Sequence, residues 1–282
     1  MNTNPHPVAI VTGGGTGIGA ASAAALRAQG WDVVICGRRS ENLAAVAAST
    51  GAVPFVADAA SNADIHRLVE TTVGRFGSID GLVLNAGIIR AGAVGDLEPR
   101  DWDDMVLTNL TGPFLLAKAA MPHLIEARGA IVGVASAAAL RASEGIAGYN
   151  ASKAGLAMLI QSVAVDYGPS GVRANAVCPG WTRTEMADRE MAEYGAELGL
   201  EPQDAYSVST SFVPSRRPAE ACEVGRVIAW LLSDQASYIN AAVLPVDGGM
   251  IAVDPGSLAL DPRVKITNVQ TTRSQGTPNL QR

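Results

Sequence analysis

The sequence predicts an α/β protein, a doubly wound parallel sheet of about seven strands with helices on both faces, folded as a single domain. Three observations carry that expectation. Short β-rich runs alternate with alanine-rich helical runs, the rhythm of parallel strands joined by crossover helices. A glycine-rich turn follows the first of these runs and opens the first helix. No linker, internal repeat or low-complexity tract interrupts the pattern.

Taken in order, Val8 to Val11 reads as the first strand, and Ile18 to Gln29 as a helix closed by Gly30. Val33 to Cys36 and Val53 to Val56 read as the second and third strands, Gly81 to Leu84 as the fourth. Ala130 to Val134, Arg173 to Val177 and Val243 to Val246 complete the set. Helical stretches are expected near 41–49, 62–76, 100–127, 148–168 and 218–233. Two segments depart from the rhythm and bound the domain, which is expected to span 1–253. Residues 183–214 carry seven acids (Glu185, Asp188, Glu190, Glu193, Glu197, Glu201 and Asp204) and are long for a connection, which predicts a helical lid. Residues 254–282 are polar and weakly periodic, which predicts an extended tail.

Composition narrows the function. Hydrophobic residues make up 48% of the 282 and charged ones 17%, enough apolar material for a large core. A net charge of −6 and the absence of a basic run argue against nucleic-acid or anionic-membrane partners. No signal-peptide pattern and no apolar run of membrane-spanning length is found, so a cytoplasmic location is expected. Cys36, Cys178 and Cys222 are widely spaced in apolar text and read as buried, reduced thiols. His6, His66 and His123 are scattered without ligand spacing, which predicts no metal site.

The chemistry-bearing residues fall into two groups. In Thr12-Gly13-Gly14-Gly15-Thr16-Gly17-Ile18-Gly19 the glycines let the backbone approach a diphosphate, and the helix N-terminus offers free N–H donors. A strand, glycine loop and helix in that order predict a Rossmann-type dinucleotide site. An acid at the end of the second strand would bond the adenosine ribose of NAD, but this chain has Arg38 and Arg39 there, and Asp32 sits at the wrong end. Two guanidiniums without a carboxylate favour the 2′-phosphate of NADP(H), with NAD(H) the alternative. The second group is Tyr149 and Lys153, an i,i+4 pair on one helix face, with Ser136 upstream. An ammonium at that spacing lowers the cost of ionising the phenol and makes Tyr149 a general acid/base.

With these motifs in order, the chain resembles the classical short-chain dehydrogenase/reductase family from about residue 7 to 250. Thr12-Gly13-x-x-x-Gly17-x-Gly19 resembles the family's cofactor loop, and Asp58 its adenine-contacting acid. Asn85-Ala86-Gly87 resembles its strand-four motif, with Leu84 where an additional asparagine is usual. Pro179, Gly180, Thr182 and Thr184 match the segment that contacts the nicotinamide carboxamide. Arg217-Pro218-Ala219-Glu220 and Val246-Asp247-Gly248-Gly249 resemble C-terminal signatures, whereas Asn240-Ala241-Ala242 replaces the usual Thr-Gly pair before the last strand.

The resemblance implies hydride transfer between a nicotinamide cofactor and a ketone or secondary alcohol. It assigns Asn109, Ser136, Tyr149 and Lys153 as the catalytic residues. Ser136 would donate to the substrate oxygen, Lys153 would hold the nicotinamide ribose, and Asn109 would fix a water beside Lys153. It also implies a homodimer or homotetramer. A lyase on the same fold would be expected to replace the glycine loop, which here is intact.

Overall fold

The computed structural model describes residues 6–258 and 260–264. Its seven-stranded sheet is parallel throughout, in the order β3-β2-β1-β4-β5-β6-β9. The strands are β1 (Val8–Thr12), β2 (Asp32–Gly37), β3 (Val53–Val56), β4 (Gly81–Leu84), β5 (Ala130–Val134), β6 (Arg173–Pro179) and β9 (Val243–Val246). A separate pair, β7 (Thr182–Arg183) and β8 (Ala219–Glu220), forms a small two-stranded sheet.

Side chains alternate across the pleat, so the two faces feed two cores. Ile10, Leu82 and Ile131 pack with α3 (Asn62–Phe76), α5 (Gly112–Ala127) and α6 (Ala147–Tyr167). Ala9, Val11, Val83 and Val132 pack on the opposite face with α1 (Gly17–Ala28), α2 (Ser40–Thr50) and α9 (Ala221–Leu232). Every residue of β1, β4 and β5 is buried, as strands covered on both faces must be.

Three departures from expectation have physical reasons. The stretch expected as one helix near 100–127 is α4 (Pro99–Val106), a wide π-turn at Leu107–Thr111, and α5. Pro113 has no N–H for the carbonyl four residues back, that of Asn109, so the regular ladder is interrupted there. Cys222 is exposed, unlike buried Cys36 and Cys178. On α9 the inward stripe is Val224, Gly225, Ile228 and Ala229, which turns position 222 outward. The region expected to be an extended tail begins with a short helical turn, α10 (Pro255–Leu258), because Asp254 caps it by accepting the N–H groups of Gly256 and Ser257. The rest of that region beyond 264 lies outside the described residues.

The insertion expected as a lid folds as α7 (Glu185–Leu198) and α8 (Pro202–Ser209). They close a small core of Ala187, Met191, Ala205 and Tyr206, and the Tyr206 hydroxyl donates to Asp188 Oδ1 at 2.8 Å. Where Thr-Gly is replaced, Ala241 takes a left-handed φ of 59°, a conformation costly for a side chain. The turn is held by Asn240 Oδ1, which accepts the N–H groups of Ala174 at 2.8 Å and Ala241 at 3.1 Å.

Candidate active site

Strand order reverses between β1 and β4, and the loops leaving their C-terminal ends border the crevice where ligands bind in this architecture. Thr12 stitches those loops together. Its Oγ1 accepts the N–H groups of Asn85 at 2.9 Å and Ala86 at 3.0 Å, while the Asn85 amide donates to Thr12 O at 2.9 Å and Gly13 O at 3.3 Å. Thr16 precedes α1 without capping it, so the N–H groups of the first turn have no side-chain acceptor. A Cβ on Gly19 would stand 2.3 Å from Gly13 O and 2.6 Å from Asn85 Nδ2, so only glycine fits. A free helix N-terminus behind a glycine turn fits a dinucleotide diphosphate.

The turn after β2 is partly engaged. Arg38 is exposed. Arg39 donates to both carboxylate oxygens of Glu185, at 2.6 and 2.9 Å, and reaches Thr16 Oγ1 at 3.4 Å. Asp58 accepts the Ala60 N–H at 2.9 Å in the turn that leads into α3.

The second group lies on β5, the π-turn and α6. Ser136 follows β5; its hydroxyl accepts the Ala138 N–H at 3.1 Å and favours ionisation of the nearby Tyr149 phenol. Lys153 is only 3% exposed, donates to the Val134 carbonyl at 2.8 Å, and sits 5.7 Å from the Tyr149 ring centre. Asn109 is fully buried: Oδ1 accepts the Ile88 N–H at 2.8 Å, and Nδ2 donates to Ile88 O at 2.9 Å and Ser152 Oγ at 3.0 Å. Gly87 joins the two groups, because a Cβ there would stand 3.2 Å from Lys153 Nζ and 3.3 Å from Asn109 Oδ1.

Burial dominates the electrostatics. It pushes the Tyr149 phenol up to about 12 despite the Ser136 hydrogen bond, with the Glu190 charge adding to the rise. It pulls the Lys153 ammonium down to about 8. The lowering of the phenol expected from Lys153 does not appear: desolvation sets the phenol, and the one lowering influence comes from Ser136.

The segment after β6 is equally compact. Gly180 donates to Val246 O at 3.1 Å, and Thr182 donates to Gly180 O at 3.0 Å directly after Pro179. Thr184 caps α7 by accepting the Ala187 N–H at 3.2 Å, while its methyl lies 3.0 Å from a Cβ placed on Gly17. Sequence reasoning missed three participants. Glu185 partners Arg39, the Glu190 charge on α7 bears on the Tyr149 phenol, and Ser152 braces Asn109. Among the described residues no cluster of His, Cys, Asp or Glu could hold a metal, and no helix is long and apolar enough to cross a membrane.

This crevice and the polar cluster beside it are those of an oxidoreductase that uses a dinucleotide. Comparison with known proteins gives the family. Residues 13–251 match the model described as enoyl-(acyl carrier protein) reductase. Levodione reductase of Leifsonia aquatica is 36% identical over 257 residues, which cover 87% of this chain and 94% of that protein. Meso-2,3-butanediol dehydrogenase of Serratia marcescens is 34% identical over 250 residues, covering 88% of this chain and 95% of that protein. Among solved structures, levodione reductase superposes with a TM-score of 0.84 at 35% identity, over 88% of this chain and 98% of that one. An actinorhodin polyketide ketoreductase variant with NADPH superposes with a TM-score of 0.83 at 33% identity, over 89% of this chain and 99% of that one. The chain belongs to the short-chain dehydrogenase/reductase family, enzymes that exchange hydride between a nicotinamide dinucleotide and CH–OH or C=O groups.

Proposed function

We propose that this enzyme interconverts a ketone and a secondary alcohol with NADP(H), using Tyr149 as general acid and base. The observation that carries the reading is the buried Lys153 held beside the Tyr149 ring, with Ser136 acting on the same phenol. The bound nicotinamide supplies or takes up the hydride. Tyr149 protonates the developing alkoxide in reduction and, as phenolate, removes the alcohol proton in oxidation. Ser136 donates to the same oxygen and stabilises the charge that grows on it. Lys153 spends one of its three N–H donors on Val134, which leaves two for the nicotinamide ribose. Asn109 fixes Ile88 and Ser152 and so sets the wall against which Lys153 lies; a water next to Lys153 extends the proton path outward.

The loop Thr12, Gly13, Gly15, Thr16, Gly17, Ile18 and Gly19 would hold the diphosphate, and Asp58 the adenine. Asn85, Ala86 and Gly87 would line the inner ribose, and Pro179, Gly180, Thr182 and Thr184 the carboxamide. Arg38 and Arg39 would take the 2′-phosphate, which is the ground for preferring NADP(H).

A panel of ketones and secondary alcohols, followed by the near-ultraviolet absorbance of reduced nicotinamide, tests the reading; silence with both cofactors across the panel refutes it. The pH profile has a defined sign. Reduction needs the protonated phenol and the Lys153 ammonium, so it holds steady at neutral pH and falls as pH rises past about 8. Oxidation needs the phenolate and climbs with pH, because the phenol is pushed up to about 12. A reduction rate that climbs with pH would contradict the assignment.

The same reading includes a cytoplasmic homodimer or homotetramer built on α5 and α6. Its support is the exposed apolar surface of Phe114 (45%), Met158 (62%) and Val165 (71%) on those helices. Sedimentation velocity should show an oligomer that Met158→Glu dissociates; a monomeric wild type would refute it.

A further inference from the structure

Arg39, at the N-cap of α2 just past β2, is one of the two guanidiniums assigned to a ribose phosphate, and it is already occupied. Glu185 holds it with both carboxylate oxygens, at 2.6 and 2.9 Å, the paired geometry that a phosphate would also use. Glu185 is the first residue of α7, directly after Thr184, whose methyl rests against Gly17. One arginine therefore serves both the cofactor crevice and the first turn of the lid. The pair is solvent-exposed, with 55% and 43% of the two side chains accessible, so it adds little to stability and is free to exchange partners.

We propose that Glu185 determines cofactor choice, by competing with the 2′-phosphate of NADP(H) for Arg39. With an unphosphorylated ribose the Arg39–Glu185 pair persists and the cation is neutralised where it stands. With a 2′-phosphate Glu185 must leave, because two anionic groups cannot share one guanidinium fork without repulsion. Phosphate binding thus releases the first turn of α7 from Arg39, and Glu185 holds NADPH affinity below what Arg39 alone would give. The inference rests on the NADP(H) reading, which assigns the phosphate to Arg39.

Fluorescence titration of NADPH and NADH tests it on wild type, Glu185→Gln, Arg39→Ala and the double variant. Glu185→Gln should tighten NADPH about 5-fold and leave NADH unchanged, and the gain should vanish when Arg39 is alanine. If Arg39→Ala weakens NADPH while Glu185→Gln changes neither cofactor, the competition is refuted and the NADP(H) reading stands. If Arg39→Ala leaves the NADPH-to-NADH ratio untouched, the NADP(H) reading fails and the proposal falls with it.

Discussion

Replacing Tyr149 with phenylalanine is expected to abolish turnover while cofactor binding stays near normal. The substitution removes one hydroxyl from a partly buried ring and leaves the helix face and the packing against Lys153 in place. Proton transfer by a positioned side chain contributes about a hundred- to ten-thousand-fold, so kcat should fall by that range. The NADPH dissociation constant should change little, because the loop that would grip the diphosphate is on the other side of the crevice. Steady-state kinetics with a responsive ketone, paired with a binding titration, separate the two effects. Near-wild-type kcat in the variant would remove Tyr149 from the chemistry.

Gly19→Ala should act on binding rather than on proton transfer. The added methyl would stand 2.3 Å from Gly13 O and 2.6 Å from Asn85 Nδ2, the two partners that join the loops after β1 and β4. Neither is the loose end of a flexible chain, since Asn85 is held by two carbonyls and Gly13 belongs to the turn itself. The loop must shift, at a cost of about 1–3 kcal/mol, as expected for overpacking a tight site. Cofactor affinity should drop on the order of tenfold, equivalent to ~1.4 kcal/mol. Urea unfolding and nicotinamide fluorescence read the two consequences, and wild-type values in both would show that the glycine is not needed.

The sheet was legible because each parallel strand is a short local run, covered on both faces, whose residue types are set by that burial. Val8 to Val11 and Gly81 to Leu84 could be placed from local text alone, and both are strands over those residues. The two-residue strands β7 and β8 left no such trace; they exist through pairing of Thr182 with Ala219 and Arg183 with Glu220. The π-turn was hidden because its cause is one missing donor at Pro113 inside otherwise good helical text. The misplaced burial of Cys222 came from reading apolar neighbours without the phase of α9, which decides the side a residue faces.

At the site, local spacing pointed to Tyr149, Lys153 and the glycine loop, because each lies on one element. The partner of Arg39 could not be read in this way. Glu185 is 146 residues away, and both residues look like ordinary surface charges until the first turn of α7 meets the N-cap of α2. The field on the phenol is similarly non-local: besides burial, Glu190 on α7 and Cys178 on β6 raise it from elements further along the chain.

The β7–β8 pair has a consequence for how such an enzyme diversifies. Its register sets Thr182 beside Ala219 and Arg183 beside Glu220, so the segment carrying α7 and α8 leaves and re-enters the molecule at one seam. Closing a loop between fixed, adjacent ends grows costlier only slowly with length. The groups proposed to handle the proton stand elsewhere, on β5 and α6, with Lys153 tied to the β5 carbonyl of Val134. Apart from Thr184, Glu185 and Glu190, which reach the crevice and Tyr149, the segment between the seam residues is thus an exchangeable cassette. Lengthening or rewriting it would alter which molecules are admitted while the reacting groups keep their positions.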